Sequence, residues 1–193
     1  MVKTRIFIAL AATALLLSAC IPSVHPFYTD KDVIFDARLL GEWQPKEDSE
    51  APEIWKFEQG EDKSYKLTVT EKKDKHGQFA ARLFKLKNQY FLDITPNECE
   101  LAPDQADLVA ASIFPGHLIV RVPQIGPELQ LAFCDYEWLE KFLKANPKAL
   151  AHRKQDDAIL LTATTRELQR FVLKHSAEGE LFPKPREMVR KKN

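Results

Sequence analysis

Apolar and polar residues alternate in short segments between about residue 37 and residue 162. In the segment SYKLTVTE, Tyr65, Leu67 and Val69 fall on one side of an extended chain and polar residues fall on the other. This period of two is typical of a β-strand with one buried face. Comparable segments are LLGEW, EIWKF, FAARLFKLK, QYFLDITP, GHLIVRVP, ELQLAFCDY and AILLTA. The pattern predicts about seven to eight strands in an antiparallel, barrel-like sheet.

Two later segments have apolar residues at helical spacing. The first follows Asp135, a residue type that caps helices, and ends at Asn146. The second follows Thr164, and Glu167 lies three residues later, which is the spacing of a capping box. The apolar faces contain Trp138, Leu139, Phe142 and Leu143 in the first helix, and Leu168, Phe171, Val172 and His175 in the second. A sheet followed by and interleaved with two helices predicts a mainly β, α+β fold with C-terminal α, and not a parallel nucleotide-binding sheet.

The beginning of the chain has the pattern of a secretory signal. Lys3 and Arg5 precede an uncharged stretch, residues 6–19, that is too short for a spanning helix. The sequence LSAC at residues 17–20 resembles the lipobox of bacterial lipoproteins. That resemblance implies cleavage before Cys20 and attachment of acyl chains such as palmitate to it. The alternative is an ordinary signal peptide in which Cys20 has no such role.

These features divide the chain into four parts. We expect a lipoprotein signal peptide at residues 1–19 and a lipidated cysteine with a tether at 20–36. A single β-rich domain with two late helices follows at 37–183, and a basic, solvated tail at 184–193. Ile21, rather than an aspartate, follows the cysteine. By resemblance to Gram-negative lipoproteins, this implies an outer-membrane location facing the periplasm.

The charge balance bears on partners. The chain has 28 lysine and arginine residues and 28 aspartate and glutamate residues. A nucleic-acid-binding protein would present a basic face, so we expect no nucleic-acid partner. The expected partners are the membrane, reached through a lipid anchor at Cys20, and either an envelope protein or a small apolar ligand.

The motif LLGEW carries a further resemblance. Gly41 and Trp43 are similar to the Gly-X-Trp of the first strand in lipocalins and related calycins, where the tryptophan plugs the closed end of the barrel. The later lipocalin arginine is assigned to neither Arg121 nor Arg166. The mature chain also resembles a group of uncharacterised bacterial lipoproteins through HPFYT, LLGEW, WLEKFLKANP and LTATTRELQRFVLKH. This second resemblance implies location and a lipocalin-like barrel, but no activity.

Two cysteines remain beyond Cys20. Cys99 and Cys134 lie at the ends of predicted strands, and the envelope outside the inner membrane is oxidising in many bacteria. Either they form a disulfide or they are two separate buried thiols. Both alternatives remain open at the level of sequence.

Candidate chemistry is sparse. Trp43, Trp55 and Phe84 could line a cavity for an apolar ligand inside the barrel, or simply fill its interior. The segment HRKQDD, residues 152–157, is expected to be a solvated loop. The sequence contains no Cys-X-X-Cys, no Gly-X-Ser-X-Gly and no glycine-rich phosphate loop, so we expect no metal, no cofactor and no enzymatic activity.

The sequence therefore predicts a lipid-anchored envelope lipoprotein that serves as an interaction or structural module. The alternative is a barrel-type binding protein, a carrier or sensor for a small apolar ligand.

Overall fold

Eight antiparallel strands close into a barrel in the computed structural model, which describes residues 21–47, 52–71, 75–97, 116–156 and 158–192. In chain order, the first seven barrel strands are β1 (Gly41–Pro45), β2 (Ile54–Gln59), β3 (Ser64–Thr70), β4 (His76–Leu86), β5 (Gln89–Pro96), β6 (Leu118–Ile125) and β7 (Glu128–Phe133). Then follow helix α1 (Tyr136–Ala145), the hairpin β8 (His152–Gln155) and β9 (Ala158–Leu161), helix α2 (Thr165–Ala177) and the last barrel strand, β10 (Arg186–Arg190). The predicted mainly β, α+β fold with a barrel-like sheet is confirmed.

Strand β10 closes the barrel between β1 and β7. Met188 lies opposite Pro45 of β1 and Leu129 of β7, and its side chain is fully buried. The domain therefore extends beyond residue 183, and residues 186–190 belong to the sheet instead of a solvated tail. The sequence obscures this strand because REMVR places only one large apolar side chain on the inner face.

The barrel has apolar clusters on both sides of its wall. Alternate residues of all eight strands point inward, and Leu83 of β4 is one of them. The neighbouring Phe84 points outward, where it packs with residues of α1 and α2 in a second cluster. Burial on both faces explains the consecutive apolar residues Leu83–Phe84, Phe91–Leu92 and Ile119–Val120 in β4, β5 and β6, where both sides of the wall are covered.

Both helices begin as the sequence predicts. The Asp135 carboxylate accepts a hydrogen bond from the backbone N–H of Trp138 at 2.9 Å. At the start of α2, the Glu167 carboxylate accepts the backbone N–H of Thr164 at 2.9 Å, as expected for a capping box. Leu139 and Leu143 of α1 and Leu168 of α2 are buried against the outer wall of the barrel.

The segment from Ile21 to the first strand lies on the domain, so the described part of the predicted tether is packed in place. Ser23 exchanges two backbone hydrogen bonds with His117, each 2.9 Å long. Phe27 and Val33 are buried, and a 3₁₀ turn at Ala37–Leu39 leads into β1. The predicted signal peptide and Cys20 lie outside the described residues. Among the described residues, no helix has the length and apolar character needed to cross a membrane.

Candidate functional site

Trp43 of strand β1 lies in the interior cluster of the barrel. Its indole N–H donates to the carbonyl of Leu39 at 2.8 Å, and its side chain is fully buried. The guanidinium of Arg190 lies over the indole ring, 3.9 Å from the ring centroid, and donates to the carbonyl of Arg38 at 2.6 Å. Arg190 thus covers Trp43, although residues 184–193 were expected to be a solvated tail.

The barrel interior is filled by side chains. Trp43, Tyr65, Leu83, Leu92 and Met188 have no accessible surface. A void large enough for a water molecule beside any of these side chains would appear as accessible surface, so no such void adjoins them. Dense packing of this kind is what a small barrel achieves when its own side chains occupy the space that a ligand would take.

The three candidate cavity residues do not form one group. Trp43 and Trp55 belong to the interior cluster, and the Trp55 ring lies 6.1 Å from that of Phe57. Phe84 belongs to the outer cluster, where it stacks on Phe91 at 5.5 Å. The barrel wall therefore separates Phe84 from the two tryptophans, because successive residues of β4 point to opposite sides.

A small apolar cavity lies outside the barrel, between its wall and the helices. Its volume is about 10 Å³, and its lining includes Ile21, Phe27, Leu139, Leu161 and Phe171. Sites for drug-sized ligands have volumes of roughly 300–1,000 Å³. This cavity has room for about one water molecule and offers it almost no polar partner, so it is a packing defect in an otherwise dense cluster.

A buried carboxylate joins the N-terminal segment to the barrel. Asp93 of β5 is 2% exposed, and one of its oxygens lies 2.7 Å from Nδ1 of His117. Its other oxygen accepts the backbone N–H of Phe27 at 2.8 Å. Both oxygens are therefore satisfied, as a buried carboxylate requires. We call Asp93, His117, Ser23 and Phe27 the N-terminal clamp.

The surroundings of the clamp contain two further polar side chains. Arg82 lies opposite Asp93 on β4 and sits 5.6 Å from the centre of the Tyr28 ring. Burial raises the pKa of Tyr28, an effect that Arg82 opposes and Asp93 reinforces. An aspartate–histidine pair can transfer protons when a substrate reaches the imidazole. Here the imidazole is 18% exposed, one carboxylate oxygen holds Phe27 and the other holds His117, whose backbone pairs with Ser23. The arrangement therefore supports attachment of the N-terminal segment.

A second polar group lies at the end of α2. Nδ1 of His175 is 3.4 Å from a Glu178 carboxylate oxygen and 4.0 Å from one of Glu180. The three ligand-type atoms all lie within 4.8 Å of one another. The sequence pattern places His175 on the apolar face of α2 and predicts no metal site. The available signal was a histidine followed by glutamates three and five residues later, across the end of a helix.

Two other predictions concern Cys134 and the segment HRKQDD. Cys134 is buried beside α1, but Cys99 lies outside the described residues, so both the disulfide and the two-thiol interpretations stay predictions. The predicted loop at residues 152–157 is wrong for its first four residues, which form β8 and pair with β9. Lys154 of this strand forms an ion pair with Glu140 of α1.

Comparisons with protein-family models, with characterised proteins and with solved structures find no match to this chain. The fold is therefore assigned from the strand order and pairing in this structure alone. An eight-stranded, antiparallel, closed barrel with a buried Gly-X-Trp in its first strand is compatible with a lipocalin-like fold.

Proposed function

We propose that the protein is a lipid-anchored lipoprotein of the bacterial cell envelope, and that its barrel works as a solid module that contacts another envelope component. The observation that supports this most directly is the filled barrel interior, where Trp43, Tyr65 and Met188 have no accessible surface. With the interior occupied, recognition falls to the outer surface of the domain. The anchor is inferred from the LSAC sequence that ends at Cys20.

The packing of the N-terminal segment on the domain also predicts how the anchored domain is oriented at the membrane. Ile21 is buried in the outer cluster, and the carbonyl of Pro22 accepts a hydrogen bond from Leu161 at 2.9 Å. A lipid on Cys20 would therefore be attached one residue away from the body of the domain. Two or three acyl chains give a stable anchor. The domain would lie against the bilayer surface, presenting the same side to it at all times.

The carrier interpretation remains the second candidate, because closed barrels of this size can hold one small ligand. It requires the interior side chains to move apart, since they leave no water-sized void around Trp43 or Tyr65. We rank it below the contact module for that reason. An enzymatic role has less support, because no described group combines a nucleophile, a base and an open pocket.

The anchor is tested with Cys20→Ala in the full chain, expressed in a Gram-negative host. We expect the wild type to fractionate with membranes and to carry acyl mass, and the variant to lose both. Cys134→Ala is the matched control, because it removes a thiol from inside the domain and should keep the anchor. A Cys20→Ala protein that still carries acyl mass would refute the lipobox inference.

The choice between module and carrier is tested by native and denaturing mass spectrometry of the wild-type protein, extracted in detergent. A native mass equal to the covalent mass supports the contact module. An additional mass that is lost on denaturation, and that persists after detergent exchange, would make the carrier interpretation the better one and would identify its ligand class.

A further inference from the structure

The geometry at the end of α2 points to a binding site for a divalent transition-metal ion, best suited to Zn²⁺. Its ligands are Nδ1 of His175 and one carboxylate oxygen each from Glu178 and Glu180. The site is independent of the proposed anchor and of the barrel interior. The sequence alone predicted no metal, since these ligands match no familiar motif.

One ligand separation already fits zinc, and the three ligand atoms all lie within 4.8 Å of one another. Zinc–nitrogen and zinc–oxygen bonds are about 2.0–2.2 Å long, so two ligands of a tetrahedral ion lie roughly 3.4 Å apart. The separation between Nδ1 of His175 and the Glu178 oxygen is 3.4 Å. Glu180 lies 4.0 Å from the same nitrogen, and half of its side chain is exposed, so a small rotation brings it to the same distance. Three protein ligands leave a fourth position for water.

The histidine nitrogen has no other use among the described residues. Nδ1 of His175 is inaccessible to solvent and has no hydrogen-bond partner, although the side chain is only 5% exposed. A buried polar atom without a partner destabilises a native protein, so such atoms usually have a role. This nitrogen lies 3.4 Å from a Glu178 carboxylate oxygen and 4.0 Å from one of Glu180 without a hydrogen bond to either, an arrangement that a shared cation would satisfy.

Aromatic rings hold the imidazole in place. The ring centres of Trp138, Phe142 and Phe171 lie 5.1, 4.8 and 4.6 Å from that of His175. The imidazole is therefore fixed by packing before any ion arrives, and little side-chain entropy is lost on binding. The apolar rings also limit access of water to one side of the site, which strengthens its electrostatics.

The chain turn brings the two carboxylates together. Gly179 has φ +74°, a conformation that favours glycine, and it lies between the two glutamates just past the end of α2. Two carboxylates at a helix C-terminus repel each other and the partial negative charge of the helix end. A divalent cation offsets both repulsions and makes the group of His175, Glu178 and Glu180 neutral overall.

The ligand types select the class of ion. Imidazole nitrogen suits zinc, copper, nickel and iron, whereas magnesium and calcium prefer all-oxygen sites. A different explanation is that His175 binds a proton and forms ion pairs with the glutamates inside an aromatic enclosure, which also favours a cation. The two explanations differ in their dependence on metal.

The test measures zinc binding by the full-length protein in detergent, stripped with a chelator and dialysed against Zn²⁺. Elemental analysis should find one zinc per chain, and zinc should raise the melting temperature. Glu178→Gln combined with Glu180→Gln should weaken zinc binding at least tenfold and abolish the zinc-dependent shift. Both side chains are about half exposed, so these substitutions leave the aromatic packing around His175 intact.

Glu58→Gln is the matched control, because its side chain is 52% exposed and lies on the barrel strand β2. It should bind zinc like the wild type. The proposal fails if the wild type binds no stoichiometric zinc, or if the double variant binds zinc as tightly as the control. It also fails if the double variant lowers the melting temperature equally with chelator and with zinc, the result expected for an ion pair alone.

Discussion

The guanidinium of Arg190 stacks on the indole of Trp43, with 3.9 Å between its central carbon and the ring centroid. The contact joins the last strand of the barrel to the first. Arg190 also donates hydrogen bonds to the carbonyls of Arg38, in the middle of the 3₁₀ turn before β1, and of Leu40, directly after that turn. One side chain thus covers Trp43 and connects the turn to strand β10.

Replacing Arg190 by lysine should destabilise the barrel, because an ammonium group cannot stack on the indole and reach both carbonyls together. We expect the free energy of unfolding in urea to fall by about 1–2 kcal/mol. Arg153→Lys, on the exposed strand β8, is the control and should change stability by less than about 0.5 kcal/mol. Equal effects of the two substitutions would show that the contact with Trp43 contributes nothing specific.

The backbone conformation explains the glycine of Gly-X-Trp. Gly41 has φ +110°, a conformation that side chains with a Cβ rarely adopt, and a Cβ atom there would also require the Arg190 guanidinium to shift. Gly41→Ala should therefore lower the free energy of unfolding by more than about 1 kcal/mol, mainly through backbone strain. Gly126→Ala is the control, since a Cβ at Gly126 meets nothing within 4 Å. A Gly41→Ala protein as stable as that control would contradict this explanation.

The sequence predicted strands and helix caps well, and long-range pairings poorly. Period-two alternation located β3 and β7, and the capping residues Asp135 and Thr164 located both helices, because these signals are local. Alternation does not say which sheet a strand joins. The AILLTA segment forms β9 outside the barrel, while the charged segment REMVR closes it.

The sequence did not predict the polar contacts of Asp93 and His175, because these contacts also depend on how distant or turning parts of the chain come together. Asp93 and His117 are 24 residues apart, and only the pairing of β5 with the start of β6 brings them together. His175 was recognised as part of an apolar stripe, which it is. Its second feature, a buried nitrogen facing Glu178, depends on how the chain turns after α2.

Removing the carboxylate of the N-terminal clamp should release the segment that follows Ile21. Asp93→Ala leaves the Phe27 N–H and the His117 ring without their acceptor, and it opens space in a buried site. We expect a loss of about 2–4 kcal/mol in the free energy of unfolding, and faster amide exchange at residues 23–28. Asp30→Ala, an exposed carboxylate in the same segment, should have little effect on either measurement. Unchanged exchange at Phe27 in Asp93→Ala would mean that the clamp does not hold the segment.

Tyr65 predicts how the barrel responds to alkaline pH. Its hydroxyl accepts the backbone N–H of Asp36 at 2.7 Å and donates to the Asp36 carbonyl at 3.1 Å. Burial raises the pKa of Tyr65 above its ordinary value of 10.0. The unfolded chain therefore ionises first. The stability from this group is complete below about pH 10 and is lost as the pH rises through the folded-state pKa.

Tyr65→Phe should cost about 1–2 kcal/mol at neutral pH, because the Asp36 N–H loses its acceptor while the ring still fills the interior. Between about pH 9.5 and pH 11, the variant should lose less stability than the wild type, since one ionisation coupled to unfolding is gone. Unfolding in urea at several pH values measures both effects. Burial also raises the pKa of Tyr28. Tyr28→Phe therefore measures how much of the pH dependence of stability that remains in Tyr65→Phe comes from the N-terminal segment. Parallel stability curves for Tyr65→Phe and the wild type would rule out Tyr65 as a source of the alkaline slope.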